Sequence, residues 1–461
     1  MDKVFDREDL KSYEVIQINS AEEFLKTHKR GEISSSYKTE GLNETIEQQE
    51  KELMSIWEWF YHHKKWGHIT PFDDKGGIGD AYILFKHKYW LEPNHPKCLK
   101  ARPVNPMHKH PMKRLFNSVG RAWMFTIKQW KEQHCILHTA QEVPEMIRAA
   151  IERIGCDKLH HRIWDIDSCY PSMPKADIIE AMEHILENVK CQTRKCKRKF
   201  ILVPRCKNEK PVWGTSYTED QKKTHIKINF QVMIDLIRFS MDNAICKLNG
   251  ECFIRQTTGI PQGDSLSPAV CIGTCGWYEM KWMQKWSPED KQLFQIRRYL
   301  DDVNMIFKAN SPRAKAILEE FQKKGSCYPE DLSLEGEEDN SEYLETNIIY
   351  GDDGAIACKH RNKNEGCKNQ QIFYKGKHAM SFSSNEHKMG AMIGTCYRIQ
   401  RNSFTDELLI KEMKEKIREW QECLGHKPKF IASAMKYLAN KHNMDSVWPL
   451  AHTELFGDVS S

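Results

Sequence analysis

Three short segments carry residues that could do chemistry together. Asp165-Ile-Asp-Ser-Cys-Tyr170 follows the apolar pair Ile163-Trp164, which places Asp165 at the end of a buried strand. Tyr299-Leu-Asp-Asp302 sets two adjacent carboxylates between Gln295-Ile-Arg-Arg298 and Val303-Asn-Met-Ile-Phe307, the pattern of a hairpin with an acidic turn. Adjacent acids among apolar neighbours are costly to bury without a cation. Alone, either Asp would sooner be a turn or cap residue. Between the two lies Thr258-Gly-Ile-Pro-Gln-Gly-Asp-Ser-Leu-Ser-Pro268, whose glycines and proline fix a loop just ahead of a helix. Gly263 there removes the side chain that would hold backbone away from a bound base pair. The chemistry that asks for such a set is nucleotidyl transfer. It uses two divalent cations about 3.5–4 Å apart, one at the primer hydroxyl and one at the triphosphate. Both are hard ions held by oxygen, so carboxylates from distant segments must converge. Strand ends and hairpin turns on a rigid sheet are suited to that.

The elements that must position these residues are legible in outline. Residues 1–60 read as helical and polar, with a Ser-rich break at Gly31-Glu-Ile-Ser-Ser-Ser36. Trp57, Trp59, Phe60 and Tyr61 read as core rather than as a base-stacking surface. Ala81–Phe85 and His161–Asp167 read as strands, the latter followed by a helix with Pro174 in its first turn and Ile178, Ile179, Met182, Ile185, Leu186 and Val189 on one face. Asn229–Cys246 reads as an amphipathic helix, Asn249-Gly250 as a hairpin turn, and Ser267-Pro268 as the opening of an apolar helix through Met283. Near the end, Ser403 with Asp406 suggests a capping box, Gly425 a stop, and Pro428 the start of a last helix.

Composition narrows the class. A chain of 461 residues, 40% hydrophobic and 29% charged, is a globular protein of two or three subdomains. No apolar run approaches the roughly 18 residues of a membrane span. Met1-Asp-Lys-Val-Phe-Asp-Arg-Glu-Asp lacks the plan of a signal peptide, so the expectation is an intracellular protein, cytoplasmic or nuclear and not secreted, with reduced cysteines. The net charge of +5 decides nothing, but its distribution does. Lys88–Lys131 holds ten Lys/Arg against the single acid Glu92, and Lys190–Pro211 nine against Glu209, whereas Tyr328–Glu345 holds eight acids and no base. Basic blocks of this kind suit a phosphate backbone, and equally suit solvated loops. Cys191, Cys196 and Cys206 lack an obvious fourth ligand for zinc, and Cys271-x3-Cys275 reads as helix packing.

Asp165 with Tyr170, Gly259-Ile-Pro-Gln-Gly263 with Ser267-Pro268, and Tyr299-Leu-Asp-Asp302 resemble, in order and spacing, motifs A, B and C of reverse transcriptases. The resemblance spans about residues 80 to 440. Lys100-Ala-Arg-Pro-Val104 resembles the fingers segment that holds the incoming triphosphate. Tyr328–Leu334 followed by Tyr343-Leu-Glu-Thr-Asn-Ile348 is similar to the motif D to E region of Penelope-like and related mobile-element enzymes. The chain departs from those enzymes in the Pro-Gln of motif B and in Tyr343-Leu-Glu-Thr for Phe-Leu-Asp-Leu.

The resemblance implies an α+β right-hand polymerase with fingers, a ferredoxin-like palm and a helical thumb. The expected division is an N-terminal helical extension at 1–61, fingers at 62–155, a palm at 156–384 with an inserted fingers segment at about 190–255, and the thumb and tail at 385–461. The implied activity is RNA-directed DNA polymerase, taking an RNA template, a DNA or RNA primer and deoxynucleoside triphosphates. Asp165 and Asp301 would ligate two Mg2+ ions, or Mn2+ in their place, with Asp302 assisting and the Ile166 carbonyl completing a shell. Lys100 and Arg102 would clamp phosphates, Gln262 and Gly263 would face the nascent pair, and Tyr170 would exclude a ribose 2′-hydroxyl. Two other readings stand beside it: an RNA-dependent RNA polymerase, which usually has an acid where Tyr170 stands, and a catalytically silent nucleic-acid-binding relative.

Overall fold

The computed structural model describes residues 13–18, 37–38, 45–85, 101–155, 158–194, 198–336, 340–351, 354–361, 376–442, 444 and 447–457. The fold is α+β, with helices packed on antiparallel sheets. It divides into two compact units: Met1–His134, Ile166–Lys285 and Lys323–Ser333 form the first, and Cys135–Asp165, Trp286–Gln322 and Leu334–Ser461 the second. Among the described residues no helix is long and apolar enough to cross a membrane.

The first unit is built around the helix Ser267–Met283. Its apolar residues go all the way round, so it is buried on every side, Pro268 and Lys281 excepted. Helices Lys113–Gln129 and Lys175–Arg194 pack against it, with buried Ile127, Met182 and Ile185 lying against Gly273. Of the four aromatics expected in the core, Trp57, Phe60 and Tyr61 are buried on the helix Ile46–His63, whereas Trp59 is only partly buried and stacks on His63.

Two expectations for this unit fail. Tyr13–Ile18 is a strand, not helix, lying antiparallel to Cys252–Gln256 with Tyr13 opposite Gln256. Its Val15, Ile16 and Ile18 favour the extended form, and Arg255 Nε donates to Glu14 Oε1 at 2.7 Å across the pair. The Gly31–Ser36 break lies outside the described residues. The helix expected from Asn229 to Cys246 covers only Phe230–Asp242, and Ile245–Leu248 is a strand. Buried Asn243 divides them, donating from Nδ2 to the Phe239 carbonyl and accepting Trp57 Nε1–H on Oδ1, both at 2.9 Å. The Asn249-Gly250 turn that follows has both residues left-handed, at φ 53° and 71°.

The second unit holds a four-stranded sheet in the order Phe294–Tyr299, Asp302–Lys308, Leu159–Ile166, Leu334–Glu335. The helix Val143–Ile154 packs on it, burying Val143, Ile147 and Ala150 with Ile163 and Ile306. A three-stranded sheet, Glu342–Tyr343, Thr346–Tyr350 and Ile356–His360, shares that core through Tyr343, Ile348 and Cys358. Helices Asn385–Asn402, Asp406–Arg418, Pro428–His442 and Val447–Phe456 enclose a separate apolar cluster around Ile417, Trp420 and Leu438. Here too a sequence expectation yields. The cap of Asp406–Arg418 is Thr405, whose hydroxyl accepts Leu408 N–H, while Ser403 Oγ donates to the Ile399 carbonyl and to Glu412. That helix runs on into a π turn, Glu419–Cys423, before left-handed Gly425 ends it.

Candidate active site

The second unit brings the acidic residues onto one sheet. Phe294–Tyr299 and Asp302–Lys308 form a hairpin closed by Leu300-Asp301, with Tyr299 paired to Asp302. On the other side Asp302 pairs with Asp165, and Val303 with Trp164. Residues directly opposite in an antiparallel pair point to the same face, with Cβ atoms about 4.5–5.5 Å apart. Asp165 and Asp302 therefore share a face, and Asp301 stands at the turn beside them. All three are partly exposed. Like charges placed this way destabilise the pair unless something compensates them. The three carboxylates as a set do not close to within 4.8 Å of one another.

The turn is held in an unfavourable shape. Leu300 is left-handed at φ 55°, which costs an L-residue roughly 1–2 kcal/mol. Five hydrogen bonds surround it. Arg298, fully buried, donates from Nη1 to the Leu300 carbonyl at 2.7 Å. The Arg298 backbone is locked to a neighbouring segment, its N–H to the Cys135 carbonyl at 2.6 Å and its C=O to Leu137 N–H at 2.7 Å. Buried Tyr343 donates its hydroxyl to the carbonyls of Arg297 and Asp302, at 3.2 and 3.4 Å. Neither Arg298 nor Tyr343 stood out in the sequence as a support of the acidic turn. An arginine on the buried alternation of a strand was the available signal for the first. On the carboxylate face, Asn304 is fully buried, and neither of its amide atoms has a hydrogen-bond partner among the described residues.

The first unit gathers Tyr170, Gln262 and Gly263. Ser168, left-handed at φ 48°, turns the chain into the short helix Cys169–Ser172. The Tyr170 carbonyl accepts Ile260 N–H at 2.7 Å, and the Pro171 carbonyl accepts Thr258 Oγ1–H at 3.1 Å. Gly259 makes this approach possible: its φ is 72°, and a Cβ there would run into both carbonyls. At the other end of the loop, the Gln262 carbonyl accepts Asn105 N–H at 2.8 Å. Gly263, at φ 121°, lies so close to the Asn105 carbonyl that a Cβ would collide with it. The loop is thus clamped between the Tyr170 turn and the residue that follows strand Ala101–Val104. Arg102 lies on that strand, of whose side chain nothing is described, and Lys100 lies outside the described residues. Gln262 Oε1 is buried and has no hydrogen-bond partner among the described residues.

Further bonds stiffen the loop. Gln256 Nε2 donates to the Thr258 and Ile260 carbonyls at 2.8 and 3.2 Å, and Ser267 Oγ donates to the Pro261 carbonyl. Asp264, buried, accepts from Ser240 Oγ and from Leu266 N–H. Burial pushes its carboxyl up to about 6, against the pull of those hydrogen bonds. Asp264 anchors the loop and was not singled out in the sequence, where it passes as a spacer between Gly263 and Ser267.

Elsewhere the second basic block is partly described. Arg198 lies over the Trp213 ring at 5.5 Å, and Arg121 donates to the carbonyls of Cys206 and Glu209 at 3.1 and 2.8 Å. Lys197 and Cys196 lie outside the described residues. No described cysteine is in a disulfide.

Neither a protein-family model nor a curated protein matches the sequence. Among solved structures the chain is similar to a telomerase from Candida tropicalis in complex with a fragment of telomeric RNA. The identity is 12%, over 87% of this chain and 68% of that one, with a TM-score of 0.47. It is similar to the corresponding Candida albicans telomerase at 12% identity, over 86% and 70% of the two chains, with a TM-score of 0.44. It is also similar to the RNA-dependent RNA polymerase of bacteriophage phi12 at 10% identity, over 77% and 48%, with a TM-score of 0.32. Likenesses this distant support no reading of function by themselves.

Proposed function

We propose that this chain is a template-directed nucleotidyl transferase that adds deoxynucleotides to a primer 3′-hydroxyl on an RNA template. The observation that carries the reading is the register of the acidic hairpin. Asp302 sits opposite Asp165, with Asp301 in the adjoining turn, held there at the expense of a left-handed Leu300. Strain of this kind persists where the surroundings over-determine it, and such places cluster at functional sites.

The donor set fits magnesium: Asp165, Asp301, Asp302 and the Ile166 carbonyl offer only hard oxygen, and manganese would accept the same atoms. Divalent cations bound there would lower the pKa of the primer hydroxyl and take up charge on the triphosphate. The remaining work falls to the chain's own groups. Lys100 and Arg102 would hold the phosphates. The Gln262-Gly263 backbone would lie against the nascent pair. Tyr170 would wall off the sugar's 2′ position, and its backbone hydrogen bond to Ile260 would keep that wall fixed.

The test is primer extension on matched RNA and DNA templates with deoxy- and ribonucleotides, run for wild type and Tyr170→Val. The expected wild type extends with deoxynucleotides on RNA, and Tyr170→Val keeps that activity while gaining ribonucleotide addition, seen as alkali-labile product. A wild type that prefers ribonucleotides would make the protein an RNA-synthesising enzyme. No extension on any template would leave a binding protein.

A further inference from the structure

Away from the carboxylates, the first unit contains a second concentration of ligand atoms. Cys169 opens the short helix after the Asp165 strand, while Cys271 and Cys275 lie one turn apart on the helix Ser267–Met283. The Cys169 sulfur is 3.5 Å from that of Cys271 and 3.8 Å from that of Cys275. All three are buried and lie within 4.8 Å of one another. Among the described residues this is the one place where three His, Cys, Asp or Glu ligand atoms come so close. Buried cysteines often serve merely as small apolar side chains. Such packing does not require three sulfurs to converge from segments about a hundred residues apart. A zinc–sulfur bond of about 2.3 Å would put the sulfurs of a tetrahedral site about 3.8 Å apart. The spacing found is already that of a thiolate site.

We propose that Cys169, Cys271 and Cys275 bind one thiophilic metal ion, of the zinc or copper(I) class, through three sulfurs. No fourth His, Cys, Asp or Glu joins them among the described residues. The site therefore suits an ion content with three sulfurs, or one that takes a water as its fourth ligand. In so dry a place the neutral complex is favoured. Zinc reaches neutrality by displacing two thiol protons to solvent, and copper(I) by displacing one. Because the ion displaces thiol protons, binding weakens as pH falls. The ion would staple the turn that carries Tyr170 to the helix that follows Gly263. The assignment does not depend on the polymerase reading.

The experiment uses the full chain, reduced and stripped with a chelator, titrated with Cd2+ as a spectroscopic stand-in. A sulfur-to-cadmium charge-transfer band should saturate at one equivalent. Zn2+ and Cu(I), competed separately, should erase it, and the order of potency names the ion class. Cys271→Ser and Cys275→Ser should each weaken binding by at least about tenfold, while Cys423→Ser, at an exposed thiol, should leave the titration unchanged. Should the buried variants fail to fold, Co2+ added to the wild type still reports sulfur ligation in its visible spectrum. A wild type that gives no charge-transfer band at stoichiometric metal, or a band undiminished in the Cys271→Ser/Cys275→Ser double variant, overturns the proposal.

Discussion

Two hairpins of the second unit carry nearly the same four residues, Tyr299-Leu-Asp-Asp302 and Tyr343-Leu-Glu-Thr346, and turn in nearly the same way. In each the tyrosine pairs with the fourth residue, and the leucine between is left-handed, at φ 55° and 56°. They differ in what they do with their polar atoms. In the second, Thr346 Oγ1 donates back to the Tyr343 carbonyl at 2.7 Å, and the Glu345 carbonyl accepts from Asn402 Nδ2 and Arg361 N–H. The residue across the sheet from Thr346 is His360, buried and set against Asn402. In the first, the fourth residue is an aspartate and the residue across is another aspartate. One turn consumes its polar groups in holding itself together. The other sets two aspartates opposite each other, and its backbone is held by Arg298 and Tyr343. The same backbone device, a left-handed leucine after a tyrosine, thus closes two turns whose polar groups have different neighbours.

The largest expected effect separates the two turns by activity. Asp301→Asn or Asp165→Asn should lower primer extension by more than about a hundredfold, beyond the usual loss for a residue that only supports a metal ligand. Glu345→Gln should stay within about twofold. Equal losses at the two turns would end the distinction. Next comes metal dependence: adding Mg2+ should raise the melting temperature of the wild type and of Glu345→Gln by a few degrees, and chelation should reverse it. Asp165→Asn should show no such shift. If it does, the ion sits elsewhere.

The tyrosines offer a finer contrast. Tyr343→Phe removes the hydroxyl that bridges the Arg297 and Asp302 carbonyls, and should cost about 1 kcal/mol in urea unfolding. Among the described residues the Tyr299 hydroxyl has no such bridge, so Tyr299→Phe should leave the urea midpoint where it is. The smallest effect concerns the strained leucines. Leu300→Gly relieves a left-handed conformation and should leave stability equal or a few tenths of a kcal/mol higher. Leu344 packs against the core of its unit, so Leu344→Gly should lose about 1 kcal/mol of burial for the same relief. Matching changes would mean that the two leucines are held alike.

Much of this site was readable because its signals are local. A strand ending at Asp165, an acidic hairpin, and an apolar helix opened by Ser267-Pro268 each declare themselves within a dozen residues through periodicity and turn chemistry. The two glycines of the loop between them likewise announce a close approach, which turns out to be against Tyr170 and Asn105. What escaped depends on partners far away in the chain. Tyr13–Ile18 cannot be told from a polar helix until Phe253–Gln256 is beside it. Arg298 looks like a surface base until its guanidinium is seen on the Leu300 carbonyl. That Cys271 and Cys275 lie beside Cys169 shows only once segments about a hundred residues apart are brought together. Ser403 had the residue type of a cap, but Thr405 lay nearer the helix and took the role.

The pairing of Tyr13–Ile18 with Cys252–Gln256 has a consequence for how the protein is made. Glu14 and Arg255, which meet across it, are 241 residues apart, so this strand leaves the ribosome well before its partner. At about 5–20 residues per second, its edge stays unpaired for tens of seconds, the interval in which an exposed strand is open to wrong partners. Closing so long a loop also slows folding relative to the local helices that form around it.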